Sequence, residues 1–269
     1  MRTPGGCTTS WSPFPPRTRE LQFDEKWPFV AKKEKHCDPT DPADGRKGDC
    51  WDHVALDPVH RLVLSVVPGK RTAESVTAVV RDTQRRTGGR MMRLITTDEY
   101  PAYEAAPLDA YGVTATPPRT GKPGRPEAPD KVPASGLRYA TVMKTRRKGR
   151  VVKVQFRVVF GSEASVRAAL MTSPVSRAIN TAFVERQNGT DRHRNARKGR
   201  KTYRFSKDWC FHEAATYFSL YSYNFCWPVR TLRVKDDRGR WRERTPAMAA
   251  GLTDHVWSMS EWLTLPAVQ

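Results

Sequence analysis

Leu21, Phe23 and Phe29 alternate with more polar neighbours across residues 21–30, the period of a β-strand with one buried face. Two further apolar runs, CWDHVALD at 50–57 and RLVLSVV at 61–67, are separated by Pro58-Val59-His60 and read as the arms of a hairpin. The period then changes. Val76, Val79, Val80 and Thr83 recur at helical spacing behind Thr72, a suitable N-cap, with Glu74 where the helix dipole favours an anion. Gly88-Gly89 closes that helix. A short β-rich run at 93–97 delivers Asp98 at its end, and a helix near 99–111 and a strand at 113–116 follow.

Antiparallel strands first, then alternating helix and strand, give the order β-β-β-α-β-α-β over residues 21–118. The expected fold class is α/β: a mixed sheet flanked by helices, in the element order of a ribonuclease-H-like core. Six prolines and three glycines at 117–138 break the pattern. Behind them ATVMKT, the turn Arg146-Arg147-Lys148-Gly149 and RVVKVQFRVVF read as a basic β-hairpin. Residues 119–160 carry 12 Lys/Arg against 2 Asp/Glu, so the segment 119–178 reads as a basic insertion that meets phosphate. Its last element is a helix at 162–171 with Val166, Ala169 and Leu170 inward. Residues 179–226 return to the core, with one helix starting near 180 and a long one capped by Ser206. Phe211, Ala214, Ala215, Phe218, Tyr221 and Phe225 fall on one face of the long helix. Residues 1–20, with four prolines and two glycines, form an irregular arm, and 227–269 form a tail ending on Trp257, Trp262 and Leu263.

Charge sharpens this outline. The chain of 269 residues has 47 Lys+Arg against 28 Asp+Glu, a net +19, which points to a polyanion and most commonly to nucleic acid. Residues 119–160 supply +10 of it (12 − 2) and residues 186–207 supply +8 (9 − 1). A hydrophobic fraction of 38% with 8 Trp, 8 Tyr and 10 Phe excludes a wholly disordered basic tail. No apolar run approaches the roughly 18–20 residues that span a bilayer, and no apolar segment follows Arg2 as in a secretory signal. A soluble, membrane-free protein of the cytoplasm is expected. Five cysteines, odd in number and without C-x-x-C, argue against a disulfide framework, and His36, Cys37 and Cys50 match no standard zinc spacing.

Three acids carry the candidate chemistry. Asp24 interrupts an otherwise apolar strand, where ionisation costs desolvation. Asp98 ends a second strand, and Glu185 opens Val184-Glu185-Arg186-Gln187-Asn188 in a cationic neighbourhood. Taken singly, a strand-end Asp is ordinarily a loop cap and Glu185 a solvated helix charge. If the two strands are adjacent and the helix crosses them, the carboxylates converge, and without cations they would repel one another. Two divalent cations about 4 Å apart would relieve this and activate water or a 3′-hydroxyl for in-line attack on phosphorus. Oxygen ligands select Mg²⁺ or Mn²⁺ over zinc. Asp52, also on a strand, is the competing first carboxylate. His53, His60, His193 and His212 show no relay spacing, and His212 reads as a packed histidine within the long helix.

Phe23-Asp24-Glu25-Lys26-Trp27, Trp51, Gly69-Lys70-Arg71-Thr72 and Thr97-Asp98-Glu99-Tyr100-Pro101-Ala102-Tyr103 resemble motifs of the transposase of insertion sequence one and its relatives. So does the stretch from Thr181 to Lys207, with Val184-Glu185-Arg186-Gln187-Asn188, Arg192, Arg197, Arg200-Lys201-Thr202 and Phe205-Ser206-Lys207. Arg244-Thr245-Pro246-Ala247-Met248-Ala249-Ala250-Gly251 resembles a tail motif of integrase-type transposases. The resemblance runs from about residue 21 to 225, interrupted at 119–178. It implies a DDE-type transposase, an enzyme of DNA transposition and recombination carried by a mobile genetic element. It also implies Asp24, Asp98 and Glu185 as catalytic and metal-binding triad for two Mg²⁺ or Mn²⁺ ions. The Asp-Glu-x-Trp context favours Asp24 over Asp52 as the first of them.

Arg192, seven residues after Glu185, matches a basic position that such enzymes place two turns on, where it would hold a DNA phosphate. With the basic stretch 186–207, the candidate DNA contacts are Asn188, Arg192, Arg197, Arg200, Lys201 and Lys207. Such contacts supply affinity and salt sensitivity rather than sequence choice. Tyr203, Phe205 and Trp209 are candidates for stacking on a frayed base, although Trp209 and Phe211 suit core packing better. The implied partners are element ends and target DNA, with a homo-oligomer assembled on them in a prokaryotic nucleoid. Relatives carry a zinc element and a helix-turn-helix ahead of the catalytic part. Here 20 residues precede the first strand, which implies a separate DNA-recognition polypeptide or a shortened copy. Two other readings remain: a decayed or co-opted nucleic-acid-binding protein without catalysis, and a ribonuclease-H-type hydrolase.

Overall fold

The structure, a computed structural model, describes residues 17–116, 129–199 and 201–264. Most of the arm at 1–20, the proline-rich stretch at 117–128 and Arg200 lie outside the described residues. In chain order the elements are β1 (Glu20–Lys26), β2 (Phe29–Val30), β3 (Gly48–Asp49), β4 (Trp51–Asp57), β5 (Leu62–Gly69) and α1 (Ala73–Arg86). Then come β6 (Leu94–Asp98), α2 (Ala102–Tyr111), β7 (Val113–Ala115), β8 (Asp130–Val132), β9 (Tyr139–Arg147) and β10 (Arg150–Phe160). The remainder is α3 (Glu163–Met171), α4 (Ala182–Arg194), α5 (Trp209–Cys226), β11 (Val234–Lys235), β12 (Trp241–Arg242), α6 (Pro246–Ala250) and α7 (Met259–Thr264).

Six strands form one mixed sheet in the order β10-β9-β6-β1-β4-β5. β1 runs antiparallel to β4 and parallel to β6; β6 runs parallel to β9, and β9 turns back antiparallel into β10. This mixed sheet flanked by helices is compatible with a ribonuclease-H-like fold. Alternation along the strands separates two cores. Leu21, Phe23, Leu62 and Leu64 face α1 and α2, where Val76, Val79, Val80 and Tyr103 are buried. Val54, Leu56, Val63 and Val66 face the opposite way, under Val184 of α4 and Leu220, Tyr221 and Tyr223 of α5. Thr72 caps α1 by accepting from Ser75 N, and Gly88 and Gly89 follow its end at positive φ, as the sequence predicts.

Five expectations change. The strand expected over 21–30 breaks at Trp27-Pro28, because Pro28 has no N–H to give to a ladder. The strand expected at 113–116 forms, but only as half of a two-stranded sheet with β8. Val113 and Thr114 are exposed, whereas Tyr139-Ala140-Thr141-Val142 are buried, so β9 takes the place beside β6. The basic hairpin forms, and both of its strands, β9 and β10, belong to the main sheet. The cap of α5 is Asp208, whose carboxylate accepts from Phe211 N; Ser206 is buried and bonds His212. Last, α5 buries Tyr221 and Phe225 as expected, but His212, Thr216, Leu220 and Tyr223 are buried too, while Phe218 is exposed and Phe211 is 69% exposed. Polar side chains occupy the inner face there because each finds a partner in the protein.

Candidate functional site

β1 places Gln22, Asp24 and Lys26 on the face crossed by α4. Gln22 Oε1 accepts from Phe183 N and Val184 N, two amides of the first turn of α4 that no helical carbonyl can reach. Its Nε2 donates to Asn180 O at 2.8 Å. This one side chain docks the start of α4 on the strand and fixes where Glu185 emerges. Two residues on, Asp24 Oδ2 accepts from Asn188 Nδ2 at 2.8 Å. The β1–β6 ladder pairs Gln22 with Thr96, so Asp24 and Asp98 lie two residues past that pair on neighbouring parallel strands.

Asp24, Asp98 and Glu185 therefore line one cleft of about 660 Å³, with Asn188 and Arg192 of α4 on its rim. The opposite wall comes from β9, whose Val142 pairs with Asp98. Lys144, two residues farther, bonds Glu185, and Arg146 also lines the cleft. Arg197, Lys201 and Lys207 are exposed and are not in the cleft lining. The Lys207 ammonium sits over the Phe205 ring, which itself packs on Phe29 at 4.7 Å. Tyr203 is 95% exposed.

The electrostatics follow from crowding. Burial, then the Glu25 and Asp98 carboxylates, push the Asp24 carboxyl up to about 7, against the lowering effect of the Asn188 bond. Burial raises Asp98 as well, while Tyr100 N–H and Arg71 pull it back. Glu25 is raised by burial and then by Asp98. Its Oε1 accepts from Arg71 Nε and Nη2 at 2.9 and 2.6 Å. The Arg71 guanidinium lies 4.2 Å from the Tyr100 ring centre and 4.7 Å from that of Trp51, a cation–π sandwich. Glu25, Arg71 and Lys144 were not singled out from the sequence. The signal for two of them was present: both sit inside the motifs that carry the resemblance.

Asp52 occupies a different place. It is fully buried, with Lys198 Nζ at 2.9 Å, Lys26 Nζ at 3.5 Å and His212 Nε2 at 3.2 Å. Burial alone would raise its carboxyl, but Lys198 and Lys26 hold it well below the usual range. Asp191 Oδ2 meets the same two lysines at 2.9 and 2.6 Å, and its Oδ1 accepts from Ser219. Cys50, Asp52 and His212 offer ligand atoms within 4.8 Å of one another, but two ammoniums already neutralise the Asp52 carboxylate. His212 is packed, as its sequence context predicts.

Among the described residues no helix is long and apolar enough to cross a membrane. No family model matches the chain, and no curated protein matches it. Among solved structures, the Mos1 transposase paired-end complex with left transposon end overlaps at 22% identity and a TM-score of 0.21. The overlap covers 32% of this chain and 30% of that one, and a likeness this slight carries no argument about fold or function.

Proposed function

We propose that the chain is the ribonuclease-H-like catalytic core of a DDE-type transposase, an enzyme that cleaves and rejoins DNA at the ends of an insertion sequence. One observation carries the reading: Asp24, Asp98 and Glu185, from two parallel strands and a crossing helix, line one cleft walled by Lys144, Arg146 and Arg192. The donor set is all oxygen, and Glu25 Oε2 is buried there without a hydrogen-bond partner among the described residues. That chemistry fits hard divalent cations. Asp24, Asp98 and Glu185 would hold two Mg²⁺ or Mn²⁺ ions, which supply activation of a water or 3′-hydroxyl oxygen for attack at phosphorus.

The remaining residues bind and orient. Asn188 fixes the Asp24 carboxylate, and Arg192, Arg146 and Lys144 present cations to the phosphodiester that enters between them. Hydrolysis at the element's 3′ ends exchanges one P–O bond for another. Attack of the freed 3′-hydroxyl on target DNA does so again. A homo-oligomer assembled on DNA belongs to the same reading. Arg197, Lys201 and Lys207 extend the DNA-facing surface beyond the cleft. The rival reading, a co-opted DNA-binding protein without catalysis, draws on Glu185, which is engaged by Lys144 and Thr181.

The test incubates the purified chain with labelled DNA flanking its coding segment and Mg²⁺. Strand transfer that falls to background in Asp98→Asn, with DNA binding retained, is the expected outcome. Salt-sensitive binding by the wild type with no cleavage or transfer favours the rival.

A further inference from the structure

Glu25 follows Asp24 on β1 and so leaves the sheet on the opposite face, toward α1 and α2. At the strand's end its carboxylate nevertheless reaches round: Asp24, Glu25 and Asp98 each present an oxygen within 4.8 Å of the others. The Glu25 side chain is only 2% exposed. Both Arg71 bonds fall on Oε1, which leaves Oε2 buried with no hydrogen-bond partner among the described residues. Arg71 is itself fixed, stacked between Trp51 and Tyr100, and Tyr100 Oη donates to the Arg71 carbonyl at 3.0 Å. Glu25 is thus held still with one oxygen bare, beside two other acids. A buried carboxylate oxygen without a donor is costly unless something else satisfies it.

We propose that Glu25 is a further metal ligand of this cleft, its bare Oε2 joining Asp24 and Asp98 around a hard divalent cation, with Arg71 as the positioning residue that presents it. The inference rests on reading the cleft as a divalent-metal site. It also sets an order. Glu185 is 41% exposed and its Oε1 is taken by Lys144 and Thr181, so the first cation in the free protein belongs to Asp24, Glu25 and Asp98.

Mn²⁺ binding to the full chain, read from the free-ion electron paramagnetic resonance signal, tests this without DNA or turnover. Wild type binds, Asp98→Asn loses binding, and Glu25→Gln weakens it about tenfold or more, the scale of losing one oriented group at a metal. Glu185→Gln weakens the first ion less than Glu25→Gln does. Arg71 is 39% exposed, so water can solvate its guanidinium once the Glu25 charge is gone. Glu25→Gln/Arg71→Gln, which removes both charges, is measured alongside as a second protein lacking the carboxylate. Both variants should unfold cooperatively in chelator, as wild type does, while their Mn²⁺ affinity stays weak. Wild-type affinity in either Glu25 variant, with binding lost in Asp98→Asn, overturns this inference alone. No Mn²⁺ binding by the wild type at millimolar concentration, or unchanged binding in Asp98→Asn, overturns it together with the metal reading.

Discussion

Asp24 is a carboxylate in a strand otherwise committed to two packed faces, and its raised carboxyl has a consequence for stability. Its value of about 7 in the folded protein lies above the 3.8 of an ordinary Asp, so the folded state binds the proton more tightly than the unfolded chain. The stabilisation is therefore fully present below the ordinary value and is lost as pH rises through about 7. Asp24→Asn removes the titration and frees Glu25 and Asp98 from a repulsive neighbour. In chelator at pH 8 this variant should be the more stable protein, by on the order of 2 kcal/mol relative to the comparison at pH 5. Urea unfolding at several pH values measures it; parallel pH dependences in the two proteins would contradict the crowded-acid account. Asp24 and Asp98 were legible because a charge inside an apolar strand, or at its end, is anomalous. Glu25 was hidden by the same alternation rule, which assigns neighbours on a strand to opposite faces and does not anticipate two side chains meeting round the strand's rim.

Helix α4 shows what periodicity cannot reveal about an element. Its buried positions are Val184, Gln187, Asn188 and Asp191, spaced as a helix face should be but mostly polar. An apolar stripe is absent because the helix is fastened by specific bonds: Gln22 to its first turn, Asn188 to Asp24, Asp191 to two lysines. The same cause changes the first half of α5, where His212 and Thr216 face inward in place of Phe211 and Ala215, while Tyr221 and Phe225 are buried where their spacing puts them. By contrast α1, with valines at helical spacing, a Thr cap and a Gly stop, was legible from end to end. Two buried lysines and two buried aspartates balance where α4, α5 and the strand ends meet. Removing one charge leaves another unpaired in the interior, so Lys198→Met or Asp191→Leu alone should cost about 3–5 kcal/mol of unfolding free energy. The double variant leaves Lys26 and Asp52 as a balanced pair and should cost less than either single change. A double-mutant cycle by denaturant unfolding decides, and strictly additive losses would show that the four groups do not act as a network.

At the scale of the whole molecule, the two basic segments legible in the sequence converge on one cleft from opposite sides. The segment 186–207 contributes Arg192 from α4, and the segment 119–160 contributes Lys144 and Arg146 from β9. What the sequence could not convey is that β9 is a strand of the main sheet, because its partner β6 lies across a proline-rich stretch and pairing is non-local. That placement makes the hairpin a wall of the cleft. Beyond Arg146 the hairpin runs on with Arg147, Lys148 and Arg150 exposed around its turn, and β10 is an edge strand studded with Lys153 and Arg157. Charged positions on a long edge oppose strand-to-strand association, so the basic residues there have a protective reading as well as a DNA-binding one. Salt dependence separates the two. If Arg147, Lys148 and Arg150 meet phosphates, changing all three to Gln should weaken binding to any DNA sequence. It should also reduce the slope of log K against log salt concentration by about 0.9 for each phosphate no longer neutralised. Lys33→Gln/Lys35→Gln, at two exposed lysines outside the cleft lining, lowers the net charge without touching the hairpin and should leave the slope nearly as in wild type. Equal slopes in all three proteins, with association increased only in the hairpin variant, would assign these cations to edge protection and take the hairpin off the DNA path.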